Sequence, residues 1–117
     1  MIRYLLLLIV GLSLTHCASL GPSGSWNYTV TGTPNGDYAG TMIVTKNKQA
    51  YSAVLTTQGA EVPFTKFAYD PKTMKTSGDF DFQGTPIYFD ALVKGDDMTG
   101  NMSADDSKFP FKATRKK

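Results

Sequence analysis

The sequence predicts an all-β domain, an eight-stranded antiparallel up-and-down meander closed into a barrel, behind an N-terminal signal peptide. Three observations predict it. From Trp26 onward, apolar and polar residues alternate with period two in short runs; seven clusters of turn residues separate those runs; and no window after the signal spaces its apolar residues as a helix would. The length of 117 residues, with 41% hydrophobic and 19% charged, is enough for one small globular domain and excludes disordered, fibrous and multidomain classes.

Taken in order, the first run puts Trp26, Tyr28 and Val30 on one face and ends at Pro34-Asn35-Gly36-Asp37. The second carries Gly40, Met42 and Val44 to Lys46-Asn47-Lys48; the third carries Tyr51, Ala53 and Leu55 to Gln58-Gly59-Ala60. Val62 and Phe64 head a fourth run that ends at Asp70-Pro71-Lys72, and Gly78, Phe80 and Phe82 form the fifth, up to Gln83-Gly84-Thr85-Pro86. Ile87, Phe89, Ala91 and Val93 follow to Gly95-Asp96-Asp97, then Met98, Gly100 and Met102 to Asp105-Asp106-Ser107, and last Phe109, Phe111 and Ala113. The opposite face is mostly Thr, Ser, Asn, Asp and Lys, the pattern of an antiparallel sheet with one wet side.

A meander of short strands exposes two edges unless it closes, and a barrel removes both. A weak repeat supports closure: Tyr38-Ala39-Gly40-Thr41-Met42, Thr76-Ser77-Gly78-Asp79-Phe80 and Met98-Thr99-Gly100-Asn101-Met102 each set Gly two residues before a bulky inward residue. Inward glycines let strands coil sharply in a narrow barrel.

Ahead of the domain, Arg3 precedes an apolar run over residues 5–14, which fits a signal-peptide core and falls short of the roughly 20 residues needed to span a bilayer. Leu14-Thr15-His16-Cys17 then resembles the lipobox of bacterial lipoproteins, with His16 where the family has a small residue. The resemblance implies cleavage before Cys17, palmitate-type acylation of Cys17, and attachment to the cell envelope, by implication the outer membrane since Ala18-Ser19 lacks the Asp of inner-membrane retention. Two or more acyl chains anchor stably without spanning. Cleavage after Ser19 is the competing expectation, because Cys17-Ala18-Ser19 also offers small residues at both specificity positions, and it would release a secreted or periplasmic soluble protein. The expected organisation is signal peptide 1–16, tether 17–23 and barrel domain 24–117.

Removing Arg3 with the signal leaves 11 basic and 10 acidic side chains, so no nucleic-acid footprint is expected; the one basic cluster, Arg115-Lys116-Lys117, reads as a solvated end. Gly24-Ser25-Trp26 at the start of the first strand, with Arg115 at the end of the last, resembles the calycin signature of lipocalins, fatty-acid-binding proteins and avidins. That resemblance implies that Trp26 plugs one end of the barrel and Arg115 packs across its ring as a barrel closure. A wider pattern, Gly-x-Trp-x-Tyr with Tyr-x-Gly-Thr-Met and Met-Thr-Gly-Asn-Met-Ser, is similar to a small barrel domain of bacterial secreted proteins, sometimes fused to hydrolases.

Chemistry is sparse. His16, the single histidine, and under the lipoprotein reading a usable thiol are both missing from the mature domain, which excludes Ser-His-Asp and Cys-His nucleophiles and the usual zinc ligand sets. No enzyme activity, cofactor or metal is expected. Asp79/Asp81 falls on the wet face and Asp96/Asp97 and Asp105/Asp106 in turns, which reads as solubility and turn chemistry. The inward residues Tyr28, Met42, Tyr51, Phe64, Phe80, Phe82, Phe89, Met102, Phe109 and Phe111 are the expected lining of a ligand cavity, or the filling of a packed barrel. Lys66, in register with Val62 and Phe64, is a candidate carboxylate partner at the mouth. The leading expectation is a non-enzymatic envelope lipoprotein whose barrel binds a small hydrophobic or amphipathic ligand. The alternatives are a protein-interaction module such as a hydrolase inhibitor, using the 32–37 and 94–97 turns, and a structural accessory domain.

Overall fold

Turn chemistry decides where the strands stop. The computed structural model describes residues 21–116; the predicted signal peptide, Cys17 and the first part of the predicted tether lie outside the described residues. Within them are β1 (Gly24–Thr33), β2 (Gly36–Asn47), β3 (Ala50–Thr57), β4 (Ala60–Pro63), β5 (Lys66–Asp70), β6 (Lys75–Phe82), β7 (Thr85–Lys94), β8 (Asp97–Ala104) and β9 (Ser107–Arg115). Both residues of the Gln58-Gly59 and Gln83-Gly84 connections have positive φ, 50° and 79° in one and 52° and 85° in the other, the signature of type I′ hairpins whose twist matches the flanking strands.

The nine strands form one antiparallel sheet in the order β4-β3-β2-β1-β9-β8-β7-β6-β5. First and last strands pair, Trp26 opposite Arg115 and Val30 opposite Phe111, so the chain ends meet inside the wall rather than at an edge. The two strands at the ends of that order, β4 and β5, are neighbours in sequence.

This last point corrects the expected count of eight. The predicted fourth strand divides at Phe64-Thr65: β4 pairs only with β3 and β5 only with β6. Pro63, opposite Val54, has no N–H to continue the ladder. The chain then steps across the seam, Phe64 N–H donating to Ala53 O (2.9 Å) and Thr65 N–H to Asp79 O (2.7 Å). One kinked strand thus hydrogen-bonds both sides of the wall. The step shifts parity, so that Val62, Phe67 and the half-buried Phe64 and Tyr69 face inward while Lys66 is exposed opposite Asp79. Lys66 therefore does not enter the barrel, contrary to its expected place at the mouth.

Every other inward residue named from the alternation is buried or half-buried, and Ile43 and Tyr88, on outward parity, are exposed. The inward face also includes residues that lie beyond the expected runs: Tyr38, Thr57 and Thr76. The Thr76 hydroxyl, 1% exposed, donates to Ala91 O at 3.1 Å, which satisfies it in the core.

Candidate functional site

The two ends of the barrel are built differently. Where the chain enters, Trp26 is fully buried and its Nε1–H donates to Pro22 O at 2.9 Å. The Arg115 guanidinium lies 4.3 Å from the Trp26 ring centroid. Its fork reaches four acceptors around the ring: Gly21 O (2.9 Å), Gly95 O (3.1 Å), Ser23 O, and Asp96 Oδ1 (3.0 Å). A flat cation over a flat ring, with its N–H groups radiating outward to carbonyls, is a geometry only arginine supplies. It ties the segment before β1, the β7–β8 turn and the end of β9 into one lid. Residues 21–23, expected within a flexible tether, are instead docked against this end, with Pro22 buried.

The opposite end is open. A cavity of about 330 Å³ is lined there by Tyr28, Val30, Tyr38, Leu55, Thr57, Val62, Phe80, Phe82, Ile87, Met102 and Phe109, with a rim from the β1–β2, β6–β7 and β8–β9 turns. The volume sits at the low end of the ~300–1,000 Å³ usual for small-molecule sites. Tyr38 of β2 and Phe82 of β6 meet edge to face across it at 5.8 Å. The β1–β2 rim is held by Gly32 N–H donating to Asp37 Oδ1 (3.0 Å) and by Thr33 Oγ1 donating to Gly36 O.

Of the residues expected to line a cavity, Tyr28, Phe80, Phe82, Met102 and Phe109 do so. Met42, Tyr51, Phe64, Phe89 and Phe111 do not. They fill the barrel beneath it or at its seam: Phe64 packs on Phe67, Phe80 and Phe89 at 5.2, 4.8 and 5.5 Å, Phe89 on Phe111 at 5.0 Å, and Tyr51 on Tyr69 at 5.8 Å across the seam. The barrel is thus packed in one half and hollow in the other. Phe64, just before the strand switch, packs against the cavity-lining Phe80 without lining the cavity itself.

Two hydroxyls break the apolar wall. Tyr28, 3% exposed, donates its hydroxyl to Thr56 O at 3.3 Å; burial pushes its pKa above the ordinary 10.0, with the adjacent Thr57 side chain pulling the other way. The phenol therefore stays neutral throughout the physiological range. Thr57, 6% exposed, sets its side chain against the Tyr28 hydroxyl, a buried polar pair within the apolar wall.

The remaining candidates do not assemble into a site. Asp79 and Asp81 lie on the outer face, Asp81 exposed, and among the described residues no three His, Cys, Asp or Glu side chains converge on a metal position. Asp96 has a specific role instead, as a partner of Arg115. The 32–37 turn belongs to the mouth and the 94–97 turn to the closed end, so these two candidate loops lie at opposite ends of the barrel.

No family model and no curated protein matches the sequence. Among solved structures, the fold is similar to Echinococcus granulosus fatty-acid-binding protein 1, with a TM-score of 0.53 at 10% identity over 81% of this chain and 97% of that one. The likeness is one of architecture alone, an antiparallel β-barrel.

Proposed function

We propose that the protein is a non-enzymatic binder of one small hydrophobic or amphipathic molecule, held in the hollow half of the barrel. The observation that carries this reading is the cavity itself. An open, mostly apolar void above a well-packed floor has no structural use, since filling it would stabilise the fold through added burial and contact. The resemblance in fold to a fatty-acid-binding protein supports the same reading.

We further propose an envelope lipoprotein anchored at Cys17, on the strength of Leu14-Thr15-His16-Cys17 behind an apolar run. The chain enters at the closed end, and the stretch from Cys17 to Gly21 reaches at most ~14 Å. A lipid on Cys17 would hold the closed end toward the membrane and leave the mouth facing away from it.

Native mass spectrometry of protein gently extracted from its own membranes tests both parts. The expected spectrum shows covalent acyl mass on a peptide beginning at Cys17 and a non-covalent mass lost on denaturation. A chain beginning at Leu20 would contradict the anchor, and a barrel empty in repeated preparations would contradict the ligand.

A further inference from the structure

The near-neutral charge of the domain hides a sorting of charge along the barrel axis. At the closed end, the β2–β3, β5–β6 and β7–β8 turns and the end of β9 present six exposed lysines, Lys46, Lys48, Lys72, Lys75, Lys94 and Lys116. Three aspartates stand among them, Asp70, Asp96 and Asp97, of which Asp96 lies 3.0 Å from Arg115 Nε. The mouth is the reverse, with Asp37, Glu61, Asp81, Asp105 and Asp106 exposed against Lys108. Among the described residues the four remaining charges, Lys66, Lys112, Asp79 and Asp90, sit on the wall between the ends and balance. At ~3.3 Å per residue and the tilt usual in barrels, strands of this length hold the two ends roughly 20 Å apart, about twice the Debye length at 0.1 M salt. A charged surface at one end is therefore largely screened from the other.

The lysines belong to one continuous surface. Lys46 Nζ stands 5.7 Å from the Tyr51 ring centroid, and Tyr51 packs edge-on against Tyr69 at 5.8 Å. Gly21 lies against both tyrosines and gives its carbonyl to Arg115. Farther round, the β5–β6 turn is pinned to the end of β7, Val93 N–H donating to Met74 O at 2.9 Å beside Lys94. Met74 is 44% exposed between Lys72 and Lys75, at a φ of 62° that Asn or Gly adopts more easily. Its N–H donates to Asp70 O at 2.7 Å, so both of its backbone polar groups are held and a large apolar side chain is presented to solvent among cations.

We propose that the closed end is a docking face for an anionic lipid surface, with the six lysines against the headgroups and Met74 entering the apolar boundary beneath them. A cluster of about four to eight basic residues is the footprint such a surface attracts. The exposed methionine favours a membrane over a soluble polyanion, which offers it no apolar layer. The acidic mouth is held off the same surface by like charge. This goes beyond the anchor reading, because the charges and the methionine belong to the folded domain; an acyl group on Cys17 would bring the same face to the same place.

The test is vesicle co-sedimentation of the mature chain carrying Cys17→Ser, so that no acyl chain contributes. The vesicles are phosphatidylcholine alone or with about a third phosphatidylglycerol, at about 20 mM and about 500 mM NaCl. Binding is expected on the anionic vesicles alone, at least about tenfold weaker at high salt. Lys72→Gln with Lys75→Gln is expected to weaken it at least about tenfold, whereas Lys66→Gln with Lys112→Gln, the same change of net charge on the wall, costs less than about threefold. Met74→Ser is expected to weaken vesicle binding about threefold and leave retention on heparin unchanged. Thermal melts of each variant check that it is folded. A folded chain that ignores anionic vesicles, or one weakened equally by both double variants, would overturn the docking face. Vesicle binding indifferent to Met74→Ser and matched by heparin would overturn the membrane as its occupant. None of these outcomes bears on the cavity or on acylation of Cys17, which the mass measurement above reads separately.

Discussion

Trp26→Ala is expected to lower stability by about 3–5 kcal/mol, the range for removing a large buried aromatic, which in a domain of this size is a fall in Tm on the order of 20 °C. The residue is fully buried, and its loss also strands the guanidinium stacked on it at 4.3 Å. Arg115→Lys separates charge from shape. Lysine keeps the positive charge but cannot lie flat on the indole while reaching Gly21 O, Ser23 O and Gly95 O together. Its expected cost is about 1–3 kcal/mol, from backbone acceptors left unpaired at the lid. The Asp96 carboxylate is half exposed, so little of that loss belongs to the ion pair. A thermal melt of Arg115→Lys that overlays the wild type would show that the guanidinium fork does not hold the closed end.

Gly100→Val is expected to be as damaging by the opposite route, overpacking. A Cβ built at Gly100 collides with the Asp90 carbonyl oxygen and with Ala91 Cα, both backbone atoms of β7 that cannot swing aside. Separating β7 from β8 to make room costs about 1–3 kcal/mol for Ala and more for the branched Val. Gly40 meets the Thr56 carbonyl in the same way. By contrast, Gly84 has nothing within 4 Å of its virtual Cβ, and its φ of 85° makes Gly84→Ala a matter of backbone strain alone, about 1–2 kcal/mol. Chemical denaturation of the three variants orders them: Gly100→Val worst, Gly100→Ala next, Gly84→Ala no worse than that. Gly100→Val unfolding at the wild-type midpoint would contradict the tight strand approach.

These glycines show what sequence can and cannot deliver. The Gly-x-bulky repeat marks Gly40, Gly78 and Gly100 as barrel positions, and their expected use was bending. The structure adds a reason that needs the partner strand: each sits across from an inward aromatic, Gly40 from Tyr28, Gly78 from Phe89 and Gly100 from Phe111. Rings over glycines are a recognised means of packing a sharply coiled sheet.

The seven hairpin turns were legible because reversing the chain requires positive φ or proline, and therefore particular residues. The break at Phe64-Thr65 was not legible because the chain does not reverse there. β4 and β5 continue in one direction and only change partner, a step that needs no turn chemistry; Pro63 is the sole local trace. From that missed step follow the outward Lys66 and the inward Phe67.

The site was legible by half for a related reason. Alternation tells which side chains point inward but not at what height along the barrel they lie. Phe80 and Phe64 share parity and chemistry, yet one lines the cavity and the other only packs against it. Thr57 and Tyr38 escaped because they extend the inward face past the obviously apolar core of their strands. Their place at the mouth explains the mixture: polar or amphipathic residues are tolerated where a void, rather than another side chain, is the neighbour.

The central claim is that the hollow half of the barrel is a binding site, and blocking it tests that claim most directly. Ala104, half-buried in the cavity wall near the rim, can carry an indole into the void without disturbing the packed floor. The measurement is titration of N-phenyl-1-naphthylamine, a neutral probe whose emission rises in apolar surroundings, into the wild type and Ala104→Trp, with the melting temperature of each recorded beside it. Saturable one-to-one binding to the wild type, weakened at least about tenfold in a variant of unchanged Tm, is the predicted result; a tenfold loss corresponds to about 1.4 kcal/mol. Equal binding by both proteins, or none by a folded wild type, would contradict it.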